Sequence, residues 1–192
     1  MYELICMGAS WGGLDAVGRV LADFPDEIDV PIAIVQHRHV TSTSGALAEL
    51  LHLRVKRPVR DAEDKMVIEP RNVYLAPPDY HLLVQRGTFA LSTDERVQFA
   101  RPSIDVLFES AAHAYGPGVI GIILTGANED GAAGLAAVKR RGGVAVIQDP
   151  QDALRRAMPE AAIAATAADA VLPLGEIGKF VYGVCVKDQV TG

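Results

Sequence analysis

The stretch LICMGASWGG, residues 4–13, joins a short apolar run to a glycine-rich turn. The run 4–7 is uniformly apolar, which is typical of a strand that is buried on both faces of a parallel sheet. Residues with helical spacing begin directly after the glycines, at Leu14. The stretch therefore predicts a strand, a tight turn and a helix, with the hydroxyl group of Ser10 held in the turn.

The same alternation of apolar runs and helical segments continues along the chain. Further buried strands are predicted at 32–36, 119–124 and 144–147, and helices at 14–24, 104–115 and 132–141. This alternation predicts a doubly wound α/β fold, a mainly parallel sheet with helices on both faces. Residues 55–100 contain two β-like runs separated by Arg86-Gly87, which predicts a small antiparallel hairpin attached to that sheet.

The composition limits the classes of function that the chain can have. Its 192 residues carry a formal net charge of −6 and no dense basic tract, so nothing indicates a nucleic-acid partner. No apolar run reaches the ~20 residues of a membrane helix, and the N-terminus lacks the pattern of a signal peptide. Cys6 and Cys185 lie in apolar runs, without the spacing of metal ligands. We therefore expect a cytoplasmic protein with no metal site and no membrane insertion.

Three polar residues follow three of the predicted strands. Ser10 follows the first apolar run, His37 follows the second and Asp130 follows the third. Because ligands of parallel sheets bind beyond the carboxyl ends of the strands, these side chains are expected at one edge. A serine hydroxyl becomes a nucleophile when a histidine takes its proton and a carboxylate orients the imidazole. The sequence therefore predicts a Ser-His-Asp triad.

Each member of this triad has an alternative interpretation. The pattern around Ser10 also suits a plain glycine turn, or a phosphate-binding turn in which serine replaces the central glycine. His39 is a second candidate for the base. Asp130 also suits an N-cap of the following helix, and Asp149 is a second candidate for orienting the histidine. The pattern of residues alone leaves these alternatives open.

Several motifs keep a recognisable order along nearly the whole chain. They are Gly8-Ala9-Ser10 with Gly12-Gly13, Gln36-His37, Tyr74-Leu75-Ala76-Pro77 with Asp79 and His81, the runs 101–108 and 121–126, Asp130-Gly131-Ala132-Ala133-Gly134 and Met158-Pro159-Glu160-Ala161. Taken together, they resemble the catalytic domain of the CheB-type chemotaxis protein-glutamate methylesterase family.

This resemblance implies an activity and a set of functional residues. The activity is hydrolysis of glutamate γ-methyl esters on chemoreceptors with release of methanol, and some members also deamidate glutamine. Ser10, His37 and Asp130 match the catalytic triad of the family, and the backbone N–H groups of Trp11 and Ala127 match its oxyanion hole. The family uses no metal or organic cofactor. The alternative is a receptor-binding module of the same fold in which catalysis is weakened.

The sequence departs from the family pattern around these residues. Trp11 stands where the family usually has threonine, Arg38-His39 replaces Met-Pro, and Asn128 replaces a glycine. These changes predict an altered substrate wall or a weakened activity. Family members usually begin with a receiver domain, whereas only residues 1–3 precede the first strand here. Residues 1–192 are therefore expected to form a single catalytic domain without a receiver domain.

Overall fold

Strands and helices alternate along the residues that the structure, a computed structural model, describes: 1–25, 27–38, 43 and 45–191, with side chains of the last helix described to residue 186. The strands are β1 (Leu4–Ala9), β2 (Ile32–Gln36), β3 (Val59–Asp61), β4 (Val73–Leu75), β5 (His81–Gln85), β6 (Thr88–Ser92), β7 (Val119–Ile123), β8 (Val144–Gln148) and β9 (Ala170–Leu172). The helices are α1 (Gly13–Ala22), α2 (Ala46–His52), α3 (Ile104–Tyr115), α4 (Ala132–Arg140), α5 (Ala157–Ala165) and α6 (Leu174–Thr191).

The main sheet is parallel and has the strand order β3-β4-β2-β1-β7-β8-β9, while β5 and β6 form a separate antiparallel hairpin. The predicted fold class, a doubly wound sheet with a hairpin excursion, is confirmed. The chain leaves β1 through α1 toward β2, but leaves β7 through α4 toward β8 on the other side. Such a reversal opens a crevice between the two loops, which is where open α/β sheets bind ligands.

Hydrophobic side chains form one core on each face of the sheet. In β1, Ile5 and Met7 point into a core shared with α1, α2 and α6, whereas Leu4 and Cys6 point into the core shared with α3, α4 and α5. Successive residues of a strand point to opposite faces, so burial on both faces requires the uniformly apolar run that the sequence contains.

Residues 55–100 contribute more to the main sheet than the sequence pattern predicts. In addition to the expected hairpin, they supply β3 and β4, which pair in parallel at one edge of the sheet. Each of these strands has three residues, and β3 is only partly buried, so neither forms a recognisable apolar run. In the part of the chain that is described, no helix has both the length and the hydrophobicity needed to cross a membrane.

Candidate active site

Ser10 is the first residue after β1 and lies in a tight turn that leads into α1. Its backbone N–H donates to the Thr125 carbonyl at 3.0 Å, and its carbonyl accepts from the Gly13 N–H at 2.9 Å. Gly12 has a φ of 80°, a left-handed conformation that glycine adopts without strain. A Cβ atom at Gly13 would lie 1.9 Å from the side-chain oxygen of Gln36. The glycines therefore let the chain turn where a larger residue has no room.

The side chain of Gln36 links this turn to the end of β2, which His37 directly follows. Its side-chain Nε2 donates to the Ser10 carbonyl at 2.7 Å and to the His37 carbonyl at 3.0 Å. The His37 N–H donates to the Ala9 carbonyl at 2.9 Å, and Ala9 pairs with Gln36 between β1 and β2. Ser10 and His37 therefore occupy matching positions at the ends of neighbouring strands. The sequence assigned no such role to Gln36, because its partner is set by strand pairing and not by local spacing.

The imidazole of His37 bridges a carboxylate and an amide. Its Nε2 lies 2.7 Å from Oδ2 of Asp130, and its Nδ1 lies 3.4 Å from Nδ2 of Asn128. An ionised carboxylate can only accept hydrogen bonds, so Nε2 carries the ring proton and Nδ1 presents a lone pair. Nδ1 is therefore the nitrogen that can take a proton, and the amide of Asn128 donates to it in this structure.

Asp130 is fully buried and accepts hydrogen bonds on both carboxylate oxygens. Oδ2 accepts from His37 and from the Ile104 N–H at 2.7 Å, while Oδ1 accepts from the Ser103 hydroxyl at 2.8 Å and the Asp105 N–H at 3.0 Å. Burial acts to raise the pKa of Asp130, but the hydrogen bonds from His37, Ile104 and Asp105 together hold the pKa below its ordinary value. Asp130 is therefore ionised, at the N-terminus of α3, where the helix dipole favours a negative charge.

The surroundings of the two aspartates distinguish between the alternatives that the sequence left open. Asp130 does not cap α4, whose N-cap is the glycine that follows it; its carboxylate caps α3 instead. Asp149 lies in a turn in which its carboxylate accepts from the Gln151 N–H at 2.8 Å. Among the described residues, it has no hydrogen bond to His37. The second candidate base, His39, lies outside the described residues.

Asp105 lies at the start of α3, and its carboxylate binds the start of α4, the helix that follows Asp130. Its Oδ1 accepts from the Gly131 N–H at 2.9 Å and the Gly134 N–H at 2.7 Å, at the start of α4. Burial raises the pKa of Asp105 to about 6. The hydrogen bond from Gly134 acts to lower this pKa, and the nearby negative charge of Asp130 acts to raise it further. Each carboxylate thus binds the N-terminus of the helix that begins beside the other, and the two segments are locked together. The sequence pattern did not identify this role for Asp105.

His81 supports the same region from the hairpin. It is buried, its Nε2 donates to the Glu95 carbonyl at 3.0 Å, and its Nδ1 accepts from the Ser103 N–H at 3.2 Å. The Ser103 hydroxyl in turn donates to Asp130. His81 is part of one of the motifs that resemble the family. Its hydrogen bond with Ser103, however, joins residues that are 22 positions apart, so no local sequence pattern predicts this bond.

The N–H groups of Trp11 and Ala127 lie on the two sides of the crevice between β1 and β7. Within the described residues, neither donates to an acceptor. The carbonyl of Trp11 accepts from the Thr125 hydroxyl at 3.0 Å, and the Gly126 N–H donates to the Arg155 carbonyl at 3.2 Å. Hydrogen bonds therefore fix both loops, and within the described residues these two N–H groups remain without an acceptor.

The indole of Trp11 stands at the rim of the crevice. Its residue is 62 % exposed, and the guanidinium carbon of Arg155 lies 5.5 Å from the ring centroid. This is the geometry of a cation–π contact. The ring therefore lies largely in solvent and does not fill a buried pocket.

The structure joins His37 to Asp130, but it does not join Ser10 to His37. In the described part of the chain, the Ser10 hydroxyl has no hydrogen bond to the imidazole, whose Nδ1 faces Asn128. Contacts between a nucleophile and its base are often long before substrate binds. The three predicted residues thus converge on one edge of the sheet, with one of the two hydrogen bonds of a triad formed.

A serine, a histidine and a buried carboxylate thus lie at the switch point of a parallel α/β sheet, the place where enzymes with such sheets bind their ligands. The family described as CheB methylesterase matches residues 5–181. The chain belongs to the CheB methylesterase family.

Individual relatives cover most of the chain. A Leptospira interrogans protein, provisionally named protein-glutamate methylesterase/protein-glutamine glutaminase, is 46% identical over 93% of this chain and 92% of its own. The protein-glutamate methylesterase FrzG of Myxococcus xanthus is 40% identical over 92% of this chain, but over 53% of its own length. The crystal structure of the Thermotoga maritima CheB methylesterase catalytic domain matches with a TM-score of 0.88 and 30% identity, over 96% of this chain and 99% of that one. Fold and family therefore agree.

Proposed function

We propose that this protein hydrolyses glutamate γ-methyl esters on the cytoplasmic helices of chemoreceptors, releasing methanol, with Ser10 as nucleophile. The ester chemistry is supported by the family and by the names of its relatives. The observation that carries the assignment of residues is the 2.7 Å hydrogen bond between His37 and Asp130, beside the turn that holds Ser10. A substrate of this kind lies in the cytoplasm, where we propose that the protein acts.

In the first half of the reaction, the hydroxyl oxygen of Ser10 attacks the ester carbonyl carbon. Its proton passes to Nδ1 of His37, and the resulting imidazolium is stabilised by the ionised Asp130 carboxylate on Nε2. The N–H groups of Trp11 and Ala127 bind the negative oxygen of the tetrahedral intermediate. The intermediate collapses, the C–O bond to the methoxy group breaks, and His37 protonates the departing methanol.

In the second half, water replaces the serine. His37 again accepts a proton on Nδ1 as water attacks the acyl-enzyme, and it returns that proton to the Ser10 oxygen when the acyl group leaves as a glutamate carboxylate. The net reaction consumes one water per ester. The same steps would release ammonia from a glutamine side chain, the second activity in the names of several relatives.

Asn128 sets a condition on this cycle. Its amide donates to the lone pair of Nδ1 that must take the serine proton. Asn128 therefore has to leave Nδ1 before Ser10 can donate to it. Movement of this side chain on substrate binding would couple formation of the nucleophile contact to the presence of substrate.

Substitution of the nucleophile tests the assignment. Ser10→Ala should abolish methanol release from a methylated receptor fragment and leave the far-ultraviolet circular dichroism spectrum unchanged. Thr166→Ala, which removes a hydroxyl group at the end of α5, is the matched control and should retain full activity. Methanol release by Ser10→Ala at the wild-type rate would refute the assignment, whereas receptor binding without methanol release by the wild type would favour the binding-module alternative.

A further inference from the structure

A small cavity beside His37 has a concentration of positive charge that the reaction described above does not use. Its volume is about 200 Å³, and its walls include three arginines, Arg38, Arg96 and Arg101. Glu95 and Glu129 are next to wall residues in the sequence, but neither of them lines the cavity. In a chain whose formal net charge is −6, this is a local positive site.

Arg38 has donors that are buried and unsatisfied. Its side chain is 8% exposed, and its Nη2 donates to the Ala76 carbonyl and lies 3.4 Å from Oδ1 of Asp61. Its Nε and Nη1 are buried and have no acceptor in the described part of the chain. A guanidinium presents its donors as a planar fork that matches a carboxylate. Arg38 therefore retains two separate buried donors, Nε and Nη1, for an anionic ligand, while its Nη2 is already paired.

The other two arginines share a single carboxylate. Nη2 of Arg101 lies 2.8 Å from Oδ1 of Asp79, and Nη2 of Arg96 lies 3.3 Å from the same oxygen. One negative charge thus faces two positive charges. With Asp61 beside Arg38, the three arginines of the cavity wall thus pair with two carboxylates.

The rim of the cavity presents an aromatic side chain to solvent. Val97 and Ala100 exchange backbone hydrogen bonds across a tight turn, in which Gln98 and Phe99 have φ values of 48° and 64°. Left-handed φ values are unusual for residues of this size. Phe99, at the tip, is 95% exposed. A protein that docks at this edge would meet an apolar contact next to the arginines.

We propose that this cavity binds the carboxylate of an acidic side chain of the protein substrate, adjacent to the ester that is cleaved. The inference rests on the proposed function, because it places this acidic residue on the same protein segment as the methylated glutamate. Arg38 supplies a buried donor that has no other partner in the described residues, Arg96 and Arg101 supply the surrounding positive charge, and Phe99 packs against the apolar part of the segment. The protein would thus prefer methyl-glutamate that lies in an acidic context.

Peptide binding by a variant that lacks the proposed nucleophile, and so does not hydrolyse the ester, tests this preference. Two helical peptides are compared by fluorescence anisotropy on the Ser10→Ala protein: each contains one γ-methyl-glutamate, and its neighbours are glutamates in one peptide and glutamines in the other. The acidic peptide should bind at least tenfold more tightly. Adding Arg38→Gln should remove this difference while leaving the affinity for the neutral peptide within about twofold.

Two further variants make the result specific. Arg96→Gln, at the rim, leaves Asp79 paired with Arg101 and should reduce the preference even if Arg38→Gln fails to fold. Arg71→Gln removes the same charge from an exposed ion pair with Asp29 and should leave the preference unchanged. Equal binding of both peptides, or a preference that survives substitution of both Arg38 and Arg96, would overturn the inference. Failure of the proposed function would instead show as an absence of methanol release by the wild type.

Discussion

Asp105 and Asp130 each cap the helix that begins next to the other. The Asp130 carboxylate accepts from the N–H groups of Ile104 and Asp105 at the start of α3, and the Asp105 carboxylate accepts from N–H groups at the start of α4. This exchange fixes the loop after β7 against α3. The loop presents Asp130 to His37, so the position of the carboxylate that binds the imidazole depends on this pair of buried aspartates.

Asp130→Asn should preserve the shape of the site but remove the charge that stabilises the imidazolium. The expected result is a fall in kcat of about 10⁴-fold, because an amide can also hold the ring in the wrong tautomer. Methanol release under saturating substrate measures it. Asp149→Asn, which alters a turn that has no contact with His37 in the described residues, should have little effect; equal losses from both variants would argue against the role of Asp130.

Asp105 should make the protein less stable as the pH rises from about 4 to about 6. Its folded-state pKa of about 6 lies above its ordinary value of 3.8, so the folded state binds more protons than the unfolded state in this interval. The difference corresponds to about 3 kcal/mol of unfolding free energy. Asp105→Asn should remove this pH dependence of the unfolding free energy. In urea denaturation, the stability of the variant relative to the wild type should therefore increase as the pH rises.

Asp130 acts in the opposite direction and at lower pH. Because its pKa is depressed, its contribution to stability is present above the unfolded value of 3.8 and is lost as the pH falls further. The two effects are therefore separated by pH. A difference between Asp105→Asn and the wild type that does not change between pH 4 and pH 7 would contradict the raised pKa of Asp105.

Asn128→Ala should increase the reactivity of the site. The substitution removes the amide that donates to Nδ1 of His37, so the lone pair becomes free for Ser10. We expect a several-fold increase in the rate of labelling by a fluorophosphonate in the absence of substrate. Glu129→Ala changes an exposed neighbour in the same loop and should not alter this rate. Slower labelling of Asn128→Ala would show that Asn128 assists the histidine.

Gly8→Ala should destabilise the fold and disturb the site together. A Cβ at Gly8 would lie 2.3 Å from Cγ2 of Ile104, the residue whose N–H binds Asp130. Forcing a methyl group into this contact should cost about 1–3 kcal/mol of unfolding free energy. Ile104→Ala should relieve the clash, so the double variant should lose less stability than the two single losses added. If the stability losses of the two single variants, measured by urea denaturation, add up to the loss of the double variant, the proposed clash between residue 8 and Ile104 is wrong.

The fold was predictable where strands are long and buried. The runs that became β1, β2, β7 and β8 are apolar throughout, because both faces of each strand are covered. In contrast, β3 and β9 have three residues each and are only partly buried, so their membership in the sheet depends on a neighbouring strand.

In the candidate site, the shared edge of Ser10, His37 and Asp130 was predictable because each of them follows such a strand. The strand order places all three at that edge, and their catalytic roles stay a prediction. The contacts of Ser103 and His81 with the Asp130 region join segments distant in the chain. No spacing rule connects such residues, so only the packing of α3 against the sheet reveals them.

Covalent labelling tests most directly whether Ser10 is a nucleophile activated by His37. The wild-type protein is treated with a fluorophosphonate, digested and analysed by mass spectrometry, alongside His37→Ala. We expect one adduct on Ser10 in the wild type and at least a 100-fold slower reaction in His37→Ala. An adduct on another residue, or an unlabelled Ser10 in a protein that still releases methanol, would contradict the role of Ser10 as nucleophile.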